Sequence, residues 1–115
     1  DVYKRQLQIL SQMQGIITQY PRSYCHWITL SLWVFYSSVE IAVVGPDYKK
    51  VISQLQQHPY PFIVWAGATS ATSHPLLSNK GESGKTLIYF CRNRQCDLPE
   101  KEWQIVWEKL NHLLD

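Results

Sequence analysis

The chain has 115 residues, a net charge of +2, and five Trp and seven Tyr among only 17% charged residues. That length suits one small domain with a modest core; the composition argues against disorder, and the balance of charge gives no ground for a nucleic-acid or anionic-membrane partner. Three cysteines, an odd number, do not form a secreted disulfide framework, and with no signal peptide visible a reducing cytoplasm is the expected compartment.

The first six residues, DVYKRQ, read as the translated end of a transposase adaptor used in sequencing libraries. Residues 1–6 are therefore set aside as a non-native scar, and the natural chain is expected to continue upstream of Leu7. Leu7, Leu10, Met13 or Gln14, Ile17 and Tyr20 recur at helical spacing, which predicts a helix ending at Pro21. Arg22 to Ser38 predicts a second helix with no charge between Ser23 and Val39. Its serines, threonine and histidine interrupt the apolar run, which is too short for a bilayer span, so a helix buried by protein is expected. The rest of the chain offers too few apolar partners to cover it.

VEIAVV, Val39 to Val44, predicts a buried strand. Gly45 and Pro46 turn the chain, Asp47 is placed to cap a helix over YKKVISQLQQH, and Val51, Ile52 and Leu55 face inward. Pro59 and Pro61 end that helix, and FIVWA, Phe62 to Ala66, predicts a second buried strand. Strand, helix, strand at this spacing predicts a parallel βαβ unit. Gly67 to Gly84 is a long polar loop, with a short helical turn expected at His74 to Leu77. A third strand is expected at Thr86 to Phe90, and a last helix at Pro99 to Leu114 with a stripe of Trp103, Val106, Trp107, Leu110 and Leu113 or Leu114. The fold class predicted is α/β: a helical hairpin, then a small three-stranded, mostly parallel sheet with flanking helices, in the order β-α-β-β-α.

Few residues suggest chemistry. NKGESGKT, Asn79 to Thr86, ends like a phosphate-binding loop, but Asn79 replaces the first glycine and a strand rather than a helix follows. The histidines are scattered; His26, between Cys25 and Trp27, is the one expected to be partly buried. No catalytic set, cofactor fingerprint or metal-ligand set can be picked out by spacing. The candidates are Cys91, at the end of the third strand, and Cys96, with four residues between them. A four-ligand metal site would need two more ligands, and a redox motif would more typically space its cysteines by two. A reversible disulfide is sterically conceivable, and so are two structural thiols.

EIAVVG (Glu40 to Gly45), a helix, PFIVWAG (Pro61 to Gly67), a long loop, GKTLIYFCRNRQCDLP (Gly84 to Pro99) and a final helix follow in order. This series resembles the C-terminal tail of the spermatogenesis-associated protein 20 family, whose bacterial members are YyaL-like thioredoxin-domain-containing proteins. The pattern Tyr89, Cys91, Asn93, Cys96, Pro99 is its most specific part; Phe90 stands where the family usually has valine. The resemblance implies that residues 7–38 are the last hairpin of a barrel similar to six-hairpin glycosidases and N-acylglucosamine 2-epimerases, and that residues 39–115 are an α/β tail. It implies partners in the same chain: an N-terminal helical barrel and a thioredoxin-like domain. This piece is then expected to be non-catalytic, with a parent acting on a sugar or in redox maintenance. The alternative is an autonomous small binding module with a thiol switch at Cys91 and Cys96.

Overall fold

The computed structural model describes residues 2–36 and 38–114. The chain divides into two units, one within residues 1–37 and one within residues 38–115.

The first unit is a pair of helices, α1 (Val2–Gln19) and α2 (Cys25–Tyr36), packed on each other. Helix α1 runs through residues 2–6, which the sequence reading set aside, and ends before Pro21, which lacks the N–H to continue it. Leu10 and Ile17 are its buried residues. Helix α2 starts at Cys25, later than expected, because residues 21–24 form turns in which Tyr24 N–H donates to the Pro21 carbonyl. It has no buried residue: Leu30, Leu32, Val34, Phe35 and Tyr36 are exposed, and His26 is exposed rather than partly buried. The protein cover expected for it is not supplied within its own unit. Among the described residues no helix is long and apolar enough to cross a membrane.

The second unit is α/β. Its strands are β1 (Val39–Val44), β2 (Ile63–Ala68), β3 (Leu87–Arg92) and the short β4 (Gln95–Cys96); its helices are α3 (Tyr48–Leu55) and α4 (Trp103–His112). The sheet order is β2-β1-β3-β4. Strands β1 and β2 are parallel, in register from Val39↔Ile63 to Val44↔Ala68, as the strand-helix-strand pattern predicts. The rest of the sheet corrects the expectation of three mostly parallel strands. Strand β3 runs antiparallel to β1, and β4 antiparallel to β3. The reason lies in the connection from β2 to β3. A parallel return needs a crossover, usually helical, and residues 69–86 supply none. They leave and rejoin the sheet at the same end, where Thr86 Oγ1 accepts a 3.0 Å hydrogen bond from the Asp47 N–H. The chain can re-enter only in the reverse direction.

Alternation divides β1 and β3 between two cores. Val39, Ile41 and Val43 join Ile88 and Phe90 on one face, covered by Leu55 of α3 and Val106 and Leu110 of α4. Tyr48, Val51, Ile52, Trp103, Trp107 and Leu113 pack around them, so the helical stripes predicted from spacing are the ones used. Ala42 and Val44 form the other face with Leu77, which comes from the long loop. There the helical turn at His74 is formed, its carbonyl accepting from the N–H of both Leu77 and Ser78 at 2.9 Å. Tyr89 Oη accepts the Gly81 N–H at 2.8 Å and fixes the loop to the sheet. Gly45 and Gly81 have φ of 149° and 102°; a Cβ on the first would strike the Thr86 backbone and on the second Val44.

Three smaller expectations shift. Asp47 sits at the N-cap of α3, but its side chain makes no capping bond. Helix α4 starts at Trp103 instead of Pro99, because Glu100 exchanges backbone hydrogen bonds with Ile88 at 2.8 and 2.9 Å and so belongs to the sheet edge. Strand β2 is an edge strand with only Ile63 buried, where a buried strand was expected.

Candidate functional site

Asn93 and Arg94 set the geometry of the cysteine pair. Both have positive φ, 51° and 64°, as a two-residue type I′ turn demands. Arg92 and Gln95 close the turn, and the next pair outward is Cys91↔Cys96. The pair beyond that is marked by Asp97 N–H donating to the Phe90 carbonyl at 2.9 Å. Hydrogen-bonded and non-hydrogen-bonded pairs alternate in an antiparallel ladder, so Cys91 and Cys96 hold a non-hydrogen-bonded position, where opposed side chains come closest. Their Cα atoms are 3.9 Å apart and their sulfurs are joined in a disulfide. Of the readings open at the level of sequence, the disulfide is the one this structure contains.

The two ends of the disulfide differ. Cys91 lies on the loop-covered face of the sheet and is 4% exposed. Cys96 lies on the outermost strand and is exposed. Glu40, Pro75, Leu76, Lys80 and Arg94 line a hollow of about 290 Å³ bordered by both cysteines. Arg92 and Arg94 are exposed, whereas Asp97 is engaged by Lys109 at 3.0 Å. Cys25 of α2 is a free, exposed thiol.

The remaining candidates do not assemble. Asn79 to Lys85 folds into tight turns, with Asn79 and Gly84 at positive φ and Lys85 paired to Glu82 at 3.0 Å. The strand β3 follows, so the loop does not lead into a helix. Lys80 is drawn over the Tyr89 ring, 5.8 Å from its centroid. Among the described residues no three His, Cys, Asp or Glu side chains gather as a metal site.

The buried histidine is His58, not His26. Its Nδ1 accepts the Tyr60 N–H at 3.1 Å, so the proton resides on Nε2, which donates to Asn111 Oδ1 at 2.7 Å. The ring also meets Trp107 edge-on at 4.7 Å between centroids. Its Nε2 ties the end of α3 to α4, and its Nδ1 holds the turn that follows α3. Local sequence gives no signal for it, because Asn111 is 53 residues away. Comparison with family models, with curated proteins and with solved structures found no match.

Proposed function

We propose that this chain is a non-catalytic C-terminal portion of a thioredoxin-domain-containing protein whose barrel is similar to six-hairpin glycosidases and N-acylglucosamine 2-epimerases. In this reading α1 and α2 are the last hairpin of the barrel, and the mixed-sheet unit closes the chain. The parent works in the cytoplasm, in carbohydrate metabolism or redox maintenance.

The surface of α2 carries the proposal. It has no charged residue, and Leu30, Val34 and Phe35 are exposed on it. Two of its hydroxyls are satisfied within the helix: Thr29 Oγ1 donates to the Cys25 carbonyl at 3.2 Å and Ser31 Oγ to the Trp27 carbonyl at 2.9 Å. Such a helix loses little when neighbouring helices remove it from water, because few polar groups need water as a partner. Long-read sequencing of the source DNA through the codon for Leu7 tests the proposal. A reading frame that continues upstream into a helical barrel and a thioredoxin-like domain is the expected result. A start codon just upstream would refute it.

The disulfide favours a second reading, an autonomous module in which the Cys91–Cys96 hairpin is a thiol switch. Support comes from its position: one sulfur reachable from solvent, the other in the core of a unit with its own apolar centre. If mild oxidant and reductant fail to interconvert the dithiol and the disulfide in the whole chain, this second reading is wrong.

A further inference from the structure

We infer that Cys96 is the exchange sulfur of the hairpin, the atom attacked by small anionic thiols, and that Cys91 is the leaving thiolate. This rests on the thiol-switch reading and assigns the two sulfurs different chemistry.

Thiol–disulfide exchange begins with a thiolate approaching one sulfur along the axis of the disulfide, so access decides which sulfur is attacked. Cys91 is closed off. It faces the loop side of the sheet, beside β1, where Glu40 is its register partner, and it is 4% exposed. Cys96 ends the outermost strand and is open to solvent. The charge around the hairpin selects the attacker. Arg92 and Arg94 are exposed at its tip, and Lys80 lines the adjoining hollow. Against these stand Glu40, and Asp97 and Glu100, which Lys109 engages at 3.0 and 3.8 Å. The balance is cationic, which raises the local concentration of a thiolate that also carries carboxylates.

The step balances without an added oxidant. The attacking thiolate forms a bond to Cys96 Sγ, and the bond between the two protein sulfurs breaks. Its electron pair passes to Cys91 Sγ, which takes a proton from water. A second equivalent of the small thiol then attacks its own sulfur in the mixed disulfide, leaving as the symmetrical disulfide and freeing Cys96. In the reverse sense, Cys91 thiolate attacks Cys96 of the mixed disulfide and expels the small thiol. The pair is therefore asymmetric: Cys96 takes the adduct and Cys91 resolves it.

The test uses the whole chain with Cys25→Ser, which removes the free thiol of α2. The oxidised protein is mixed with reduced glutathione, quenched in acid, alkylated and mapped by mass spectrometry. The expected product carries glutathione on Cys96 and the alkyl group on Cys91, in at least about tenfold excess over the opposite pattern. Equal labelling, or glutathione mainly on Cys91, overturns the assignment. As a check that does not need the disulfide, Cys91→Ser and Cys96→Ser are each treated with glutathione disulfide. Cys96 should react about tenfold faster than Cys91, and the difference should vanish in urea. Similar rates in the folded protein overturn the proposal. Cysteamine supplies the charge arm: relative to the unfolded protein, glutathione should gain over it, and salt should erase the gain. A purified chain that never holds the disulfide would sink the switch reading itself, an outcome distinct from labelling of the wrong sulfur.

Discussion

Reducing the Cys91–Cys96 disulfide should destabilise the second unit by an amount set by the loop it closes. The cysteines are five positions apart, so the link restricts a loop of about six residues in the unfolded chain. The chain-entropy relation gives about 2 kcal/mol for such a loop, near the lower end of the usual range for disulfides. The loss should fall on the hairpin and the strands it caps, because α4 reaches the same sheet edge through the Lys109 contacts to Asp97 and Glu100. For a domain of this size it corresponds to a fall in Tm of about 10 °C. Urea unfolding followed by tryptophan fluorescence, with and without reductant, measures it. The double variant Cys91→Ser/Cys96→Ser should show the lowered midpoint with no response to reductant. A shift below about 0.5 kcal/mol would show that the I′ turn already holds the hairpin together in the unfolded chain, and the loop-entropy reasoning would fail.

His58→Ala should cost about 3 kcal/mol, since it strands the buried Tyr60 N–H and removes the bond to Asn111; a double-mutant cycle with Asn111→Ala, read by urea unfolding, should return a coupling of about 1 kcal/mol. Leu110→Ala, at a fully buried position under the sheet, should cost about 2–5 kcal/mol in the same assay. Arg94→Gly should stabilise by about 0.5 kcal/mol, because Arg94 holds a φ of 64° that glycine adopts without steric conflict, offset by the greater freedom of glycine in the unfolded chain. Phe35→Glu, at a side chain 78% exposed, should leave the unfolding midpoint unchanged while lowering dye binding and self-association measured by sedimentation.

The parts of the fold that were legible in the sequence are those fixed by local pattern. Apart from Glu40, Val39 to Val44 are branched or small apolar residues, and they form an internal strand of the sheet. The stripe of α4 was readable because helical spacing alone aligns Trp103, Val106, Trp107 and Leu110. The missed features depend on distant partners. Glu100 looks like first-turn material for a helix, but Ile88 claims its backbone. Strand β4 escaped notice because Asn-Arg, unlike Asn-Gly, does not announce a I′ turn, and arginine seldom takes a positive φ. The cysteine pair was visible as a spacing, but its meaning was not. Four intervening residues become a cross-strand register only once the turn is known to take two of them. The direction of β3 was equally hidden, since it follows from where residues 69–86 let the chain re-enter.

The internal position of β1 has a consequence for synthesis on the ribosome. Its partner β2 follows soon after it, but β3 does not: Val44 pairs with Leu87 and Val39 with Arg92, far downstream. At elongation rates of about 5–20 residues per second, the edge of β1 that will receive β3 stays open for seconds, with Val43 and Val44 unpaired. An open edge of that composition invites pairing with another nascent chain, so the interval before Arg92 emerges is when this polypeptide most needs a chaperone. Nascent chains stalled before Leu87 should be protease-sensitive throughout β1, and those stalled well beyond His112 should be resistant.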